Sequence, residues 1–162
     1  MSEAPIDLAR LRQQVEGKNI HTETLLATDY LNHFNEIVML LDMVADMPDM
    51  IGDCKAWKPK SYSDHFRDST FVEKELAIQA YEHAPKAYRQ SFDRTVELAN
   101  EAVAMGVQRL EEAIAKGQPG LIAEVARQSS QRVQKLMDVC GAIIHGRATT
   151  LNQAEIDQLM GN

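Results

Sequence analysis

Four polar side chains near residue 130 have the types and spacing to position a water molecule. Glu124, Gln128, Gln131 and Lys135 recur at intervals of three or four residues, so they share one face if the segment is helical. A side-chain amide on such a face can hold a water for in-line attack on a phosphoryl group, which is catalysis by positioning. The alternative is an ordinary solvated helix face without chemistry.

A helix from Pro119 to about Gly146 is predicted to position these residues. Proline suits the first turn of a helix, where its missing N–H leaves no bond unmade. A line of mainly apolar residues runs along the opposite side at helical spacing and predicts a buried face: Ile122, Val125, Ser129, Val133, Leu136, Cys140 and Ile143.

Helical periodicity also predicts the rest of the bundle. A long helix is expected over 86–116, ended by Gly117, another over 22–44, and a short one over 6–15. Thr70 and Glu73 have the spacing of a capping box for a helix that stops before Pro85. The pattern breaks between 47 and 69, where short helical turns with aromatic residues packed against the bundle are expected.

The fold class predicted is therefore all-α. No segment alternates with the period of two that is typical of strands, and three long amphipathic helices with shorter ones bury their apolar faces by packing side by side. We expect a helical bundle over residues 1–146, followed by a linker and a tethered carboxyl-terminal amphipathic helix over 147–162.

Composition limits the class of partner and the cellular compartment. The net charge of −7 argues against nucleic acid, because phosphate binding needs a basic surface. Two cysteines form no disulfide framework and suit a reducing compartment. The start has no secretion signal, and the stretch IVMLLDMVADM is too short and too acidic to span a bilayer. A cytoplasmic protein without a membrane partner is expected.

The last residues, TLNQAEIDQLMGN, predict a short helix that needs a surface to pack on. Asn152 is a suitable cap and Glu155 stands three residues later, where it can reach back to the cap amide. Ile156, Leu159 and Met160 then fall on one side. An isolated helix of about ten residues is marginal in water, so either the protein's own bundle or another molecule must receive that side.

This tail resembles a peptide of the flagellar motor switch protein FliM, which docks the phosphorylated chemotaxis response regulator CheY. That peptide commonly reads Leu-Ser-Gln-(Ala/Asp)-Glu-Ile-Asp-Ala-Leu-Leu. Asn152 replaces its serine and Met160 replaces its last leucine. The residues that match are Leu151, Gln153, Ala154, Glu155, Ile156, Asp157 and Leu159. The resemblance implies that these residues and Met160 bind a CheY-like receiver domain.

The order of bundle first and acidic helix last also resembles the CheY phosphatase CheZ. The stretch RQSSQRVQKLMDV, Arg127 to Val139, is similar to the CheZ segment that carries a catalytic Asp and Gln four residues apart. Aligning its Met-Asp-Val places Gln131 on the catalytic Gln and Arg127 on the Asp, a departure from the pattern. A shifted register instead offers Glu124 and Gln128 as the acid and amide.

The resemblances imply a chemotaxis or flagellar-control protein, and the sequence leaves open whether it removes the phosphate or only binds. If it is a phosphatase, Gln131 or Gln128 orients the water and Glu124 assists. No cofactor is expected on this chain, since the Mg²⁺ would be bound by the partner receiver domain. Homodimerisation stays open.

A metal-binding bundle of hemerythrin or ferritin type, or a purely structural bundle, is the alternative. His33 and Glu36 lie one turn apart beside an apolar stripe, as ligands do in di-iron bundles. The Glu-x-x-His pairs of that family are missing, however, and a single histidine on an apolar face is typically a core residue bonded to a neighbour. Further candidate ligands are His65, Glu82, His83 and His145. We therefore predict no metal site.

Overall fold

The computed structural model describes residues 7–147, and within this range the chain forms α-helices and short 3₁₀ turns without a β-strand. The helices are α1 Leu8–Val15, α2 Asn32–Val44, α3 Ile51–Ala56, α4 Tyr62–Asp68, α5 Lys74–Glu82, α6 Lys86–Lys116 and α7 Pro119–Ile144. The 3₁₀ turns are Thr28–Leu31 and Pro48–Met50. The predicted all-α bundle is confirmed; the tail predicted to be tethered to it lies outside the described residues.

The two longest helices begin and end where local signals predicted. Pro85 precedes α6, and Gly117 ends it with a left-handed backbone (φ 68°), donating its N–H to the Ile114 carbonyl at 3.0 Å. Glycine adopts this conformation without the steric cost that a side chain would add. Pro119 then opens α7 as its first residue. A link of two residues turns the chain back, so α6 and α7 pack as an antiparallel hairpin.

The core lies between this hairpin and α2, which packs on α7, while the shorter helices close the remaining sides. The buried face of α7 is close to the predicted one: Ile122, Ser129, Val133, Leu136, Cys140 and Ile143 are buried, and Val125 is partly buried.

Both thiols, Cys54 and Cys140, are free and buried. Burial raises the pKa of Cys54 to about 11 and that of Cys140 to about 12, so both stay protonated near neutral pH.

The helices α6 and α7 approach most tightly where Gly106 faces Ser129. A Cβ built on Gly106 would lie 2.9 Å from the Ser129 Cβ and 3.0 Å from its Oγ. Both residues are buried, and a Cβ is fixed to its backbone, so relief would require the helices to move apart. Only glycine therefore fits at this crossing.

Replacing Gly106 by alanine is expected to lower the free energy of unfolding by about 1–2 kcal/mol. Overpacking a close contact costs about 1–3 kcal/mol, and the better helix propensity of alanine offsets part of that loss. Gly141→Ala in α7 is the matched control, since a Cβ there meets nothing within 4 Å, and it should be neutral or stabilising. Urea denaturation of both variants measures the difference. Equal stabilities would contradict the tight crossing.

The stretch between α2 and α5 packs as expected, as short helices that bury aromatic residues. Trp57, Tyr62 and Phe66 are all buried. The Trp57 Nε1–H donates to the His33 carbonyl at 3.0 Å, and Tyr62 stacks on Tyr81 with ring centroids 4.4 Å apart. These contacts fasten α3 and α4 to the bundle, so the prediction for this segment is confirmed.

The helix predicted over 22–44 is wrong in its first ten residues. It begins only at Asn32, after the 3₁₀ turn, and it is 13 residues long. Leu25 has a left-handed backbone (φ 60°), and the Thr24 hydroxyl donates to the Ile144 carbonyl at 2.6 Å. A helix cannot pass through a left-handed residue, so tertiary contacts override helical periodicity here.

The capping box predicted at Thr70 is also wrong. Helix α5 starts at Lys74 with Glu73 itself as the cap, and no side chain makes a capping hydrogen bond there. Ser69 instead stabilises the turn that precedes α5, because its hydroxyl accepts from the Phe71 N–H at 3.2 Å. The helix still ends before Pro85, as predicted.

Among the helices of residues 7–147, none has a stretch long and apolar enough to cross a membrane.

Candidate functional site

The three predicted catalytic residues lie together on the exposed face of α7. Glu124, Gln128 and Gln131 are all exposed, and so is Lys135 on the same stripe. The core side of the helix carries Val133 and Ala126, each with 0% exposure, and the period of 3.6 residues turns the stripe away from them. The prediction that these residues share one exposed face of a helix is therefore confirmed.

Arg127 connects the acid and one amide of this face. Its guanidinium donates to both carboxylate oxygens of Glu124 and, through Nη1, to the Gln131 Oε1 at 3.2 Å. The Gln128 Nε2 donates to the Glu124 Oε1 at 2.9 Å. The four side chains form one hydrogen-bonded group, which we call the α7 polar cluster: Glu124, Arg127, Gln128 and Gln131.

The two glutamines differ in what they leave available. Gln128 uses an amide hydrogen towards Glu124, so its Oε1 is left to accept a hydrogen bond from a water. The Gln131 oxygen already accepts from Arg127, so only one of its two lone pairs is left for a water. A water activated for attack must be held by an acceptor that draws on its hydrogens. The geometry therefore favours the pair Glu124–Gln128 over Gln131 as the acid and amide of a water-positioning site.

The α7 polar cluster lies on open surface. The cavity of about 700 Å³ on the other flank of α7 is lined by Gln134, Asp138 and His145 and by residues of the 3₁₀ turn and α2, and it includes no member of the cluster. Small-molecule substrates are typically enclosed in concave pockets. An exposed polar face suits a macromolecular partner that covers it on binding.

His33, one of the histidines considered as an alternative ligand, has structural partners. His33 stacks on Trp57 with centroids 4.6 Å apart, and its Nε2–H donates to the Lys58 carbonyl at 2.7 Å. Burial lowers the pKa of His33. His33 is thus partly buried and bonded to its neighbours, as expected for a single histidine beside an apolar stripe. Among the described residues, no group of three or more His, Cys, Asp or Glu is placed to hold a metal ion.

A carboxylate–imidazole pair emerges that sequence reasoning missed. The His65 Nε2 lies 2.9 Å from the Asp29 Oδ2, and the ring packs edge-on against Tyr30 and Phe66. The pair joins the 3₁₀ turn at Thr28–Leu31 to α4 across 36 residues of sequence. No local spacing signals such a contact. With aromatic rings on its sides, the pair fastens α4 to the core.

Two arginines near the α7 polar cluster were also missed. Arg109 of α6 is exposed, and Arg132 of α7 is partly buried beside it. Burial, and next the charge of Arg109, lower the pKa of Arg132. In the sequence, each arginine by itself indicates only a solvated charge. Their proximity results from the packing of α6 on α7, which the sequence does not reveal.

The predicted partner-binding residues all lie outside the described residues, which end at Arg147. They are Leu151, Gln153, Ala154, Glu155, Ile156, Asp157, Leu159 and Met160. The chain reaches them from the end of α7, where Gly146 has a left-handed backbone (φ 74°). Along the chain, the tail therefore follows the helix that carries the α7 polar cluster.

Comparison of this chain with protein-family models, with curated proteins and with solved structures finds no match. The likeness of the tail to the FliM peptide and of α7 to the CheZ segment therefore rests on the residues themselves and on their order along the chain.

Proposed function

We propose that this chain docks a phosphorylated CheY-like receiver domain through residues 151–160 and presents the α7 polar cluster to its phosphorylated site. The observation that carries the proposal is that the tail, with seven residues matching the docking peptide, comes in the sequence after the helix that holds the acid–amide pair Glu124–Gln128. One protein thus combines an anchor for a receiver and a water-positioning side chain.

The anchor has the chemistry of a segment that folds on contact. Ile156, Leu159 and Met160 form one apolar side, while Glu155 and Asp157 carry the charge to meet lysines of the partner. Such amphipathic segments lay their apolar side into a groove and use charge for orientation. Anchoring also raises the local concentration of the phosphorylated site near α7, since the second contact becomes intramolecular.

The proposed reaction is hydrolysis of the receiver's aspartyl phosphate. The Gln128 Oε1 accepts a hydrogen bond from the attacking water, and Glu124 holds the amide in position through its bond to Gln128 Nε2 at 2.9 Å. The water attacks phosphorus in line, the bond from phosphorus to the aspartate oxygen breaks, and that oxygen keeps the electron pair as part of the receiver's carboxylate. Both protons of the water leave with the inorganic phosphate. Gln128 contributes by positioning, and the Mg²⁺ of the reaction belongs to the receiver.

Replacing Ile156 and Leu159 together by alanine in the full chain is expected to weaken receiver binding about 30-fold. Each truncation removes roughly 1 kcal/mol of apolar burial at the docking groove, and 2 kcal/mol corresponds to about 30-fold in affinity. Fluorescence anisotropy of a labelled receiver, titrated with the full chain in the presence of beryllofluoride as the phosphoryl mimic, measures the change.

Gln158→Ala is the matched control, because Gln158 falls on the opposite side of the predicted helix from Ile156. Its affinity should equal that of the unsubstituted chain. Docking through this apolar side would be refuted by equal losses in the control and the double variant, or by receiver binding that survives both substitutions.

A further inference from the structure

Arg109 of α6 lies near Arg132 of α7, and neither has an acidic partner among the described residues. Within residues 7–147, Arg109 and Arg132 have neither an ion pair nor a side-chain hydrogen bond, although Arg132 is only partly exposed. The other partly buried arginines do have such partners. The Arg12 Nε–H donates to the Thr22 carbonyl at 3.1 Å, and the Arg89 Nε lies 3.8 Å from the Asp93 Oδ2.

The crossing of α6 and α7 directs both arginine side chains towards the same region of the surface. Gly106 and Ser129 are in contact there, and Arg109 and Arg132 each follow three residues later on their own helices. Helical side chains tilt towards the amino end of their helix. Both long side chains are therefore directed back towards the crossing from opposite sides, and Arg132 experiences the charge of Arg109.

The positive charges of Arg109 and Arg132 repel each other, and Arg132 is also partly desolvated. Such a placement is unfavourable unless a negative charge lies between them. The chain has 24 acidic residues against 17 basic ones, so an acidic neighbour for Arg132 would be easy to supply. Among the described residues none is supplied, although Arg127 on the same helix is paired with Glu124.

We propose that the crossing of α6 and α7 binds an oxyanion between Arg109 and Arg132. The planar, forked donors of arginine match the oxygens of a phosphoryl group, and binding would neutralise both charges at once. Gln128 lies one turn before Arg132 on α7, so the anion would lie beside the α7 polar cluster.

The identity of the molecule that carries the oxyanion depends on the proposed function. If a phosphorylated receiver docks, its phosphoryl group occupies the site, and the two arginines stabilise the charge that develops on the phosphoryl oxygens during attack. Free inorganic phosphate has the same chemistry, and it tests the site without any receiver.

The test uses the full chain with ¹⁵N-labelled arginine side chains. Their Nε–Hε resonances are followed while inorganic phosphate replaces chloride at constant ionic strength. Saturable shifts of Arg109 and Arg132 are expected, and Arg132→Gln should weaken phosphate binding by at least about tenfold, since a charged hydrogen bond of this kind contributes that much. Arg132→Lys, which keeps the charge but lacks the fork, should lose less.

Arg94→Gln is the control for general charge effects. Arg94 is an exposed arginine of α6 paired with Glu97 at 3.4 Å, and its loss should leave phosphate affinity unchanged. Shifts that rise linearly and equally at Arg94, Arg109 and Arg132 would overturn the proposal, because they would show only non-specific ion binding. Thermal unfolding of each variant confirms that the fold is kept.

A second arm replaces phosphate by the beryllofluoride-bound receiver. Weaker receiver binding by Arg132→Gln supports the phosphoryl group as the occupant. Saturable phosphate binding together with no receiver binding would support the oxyanion site and contradict the proposed function. Receiver binding without any saturable phosphate binding would overturn the oxyanion site and leave the docking proposal standing.

Discussion

Replacing Tyr62 by alanine is expected to lower the free energy of unfolding by about 3–5 kcal/mol, the cost typical of removing a large buried aromatic side chain. Tyr62 is only 4% exposed. Its ring packs against four others, with centroids 4.4 Å from Tyr81, 4.8 Å from Phe66, 5.3 Å from Tyr30 and 5.7 Å from Phe92. These rings join α4, α5, α6 and the 3₁₀ turn, so the variant loosens four elements at once.

Removing only the hydroxyl of Tyr62 distinguishes the contribution of its hydrogen bond from that of its ring packing. It accepts from the Ala27 N–H at 2.9 Å, and Ala27 is 1% exposed. Tyr62→Phe keeps the ring but leaves that buried N–H without an acceptor, so it should cost about 1–3 kcal/mol. Urea denaturation measures both variants, and Tyr88→Phe, at a partly exposed tyrosine bonded to Glu23, is the control. A loss below 1 kcal/mol for Tyr62→Ala would contradict the aromatic core.

Replacing Gln128 by alanine is expected to slow receiver dephosphorylation about 100-fold, since misplacing a reacting water by about 1 Å already has an effect of that size. The loss should appear in the rate of the bound complex, with receiver affinity unchanged, because docking is assigned to the tail. Glu124→Gln keeps the shape but weakens the hold on Gln128, so a smaller loss is expected. Single-turnover decay of phosphorylated receiver, with the chain in excess, measures these rates.

Two other glutamines of α7 test whether the effect is specific. Gln131→Ala should have little effect, because the Gln131 oxygen is engaged by Arg127 at 3.2 Å. Gln134→Ala removes an exposed amide bonded to Asp138 at 3.3 Å, on the flank away from the α7 polar cluster, and it should have none. A large loss for Gln131→Ala with none for Gln128→Ala would reverse the assignment. Equal decay with and without the protein would leave a binding role only.

The parts of the fold that could be predicted are those set by local chemistry. The ends of α6 and the start of α7 follow from Pro85, Gly117 and Pro119, each of which acts through its own backbone restrictions. The exposed stripe of α7 follows from the helical period alone. In these elements neighbouring residues along the chain determine the structure, so one sequence is sufficient.

The elements that could not be predicted depend on contacts distant in sequence. The chain at Thr24 is held by a hydrogen bond to Ile144, 120 residues away, and no periodicity carries that information. The Asp29–His65 pair and the proximity of Arg109 to Arg132 likewise need the packed bundle. The choice between Gln128 and Gln131 depended on where the Arg127 guanidinium lies, which the spacing of residues left open.

Isothermal titration of the intact chain with a CheY-like receiver, with and without beryllofluoride, tests the docking proposal most directly. We predict saturable one-to-one binding that is tighter for the activated receiver and is lost when residues 150–162 are removed. Absence of binding, or equal affinity for the two receiver states and for the chain without its tail, would contradict the proposal.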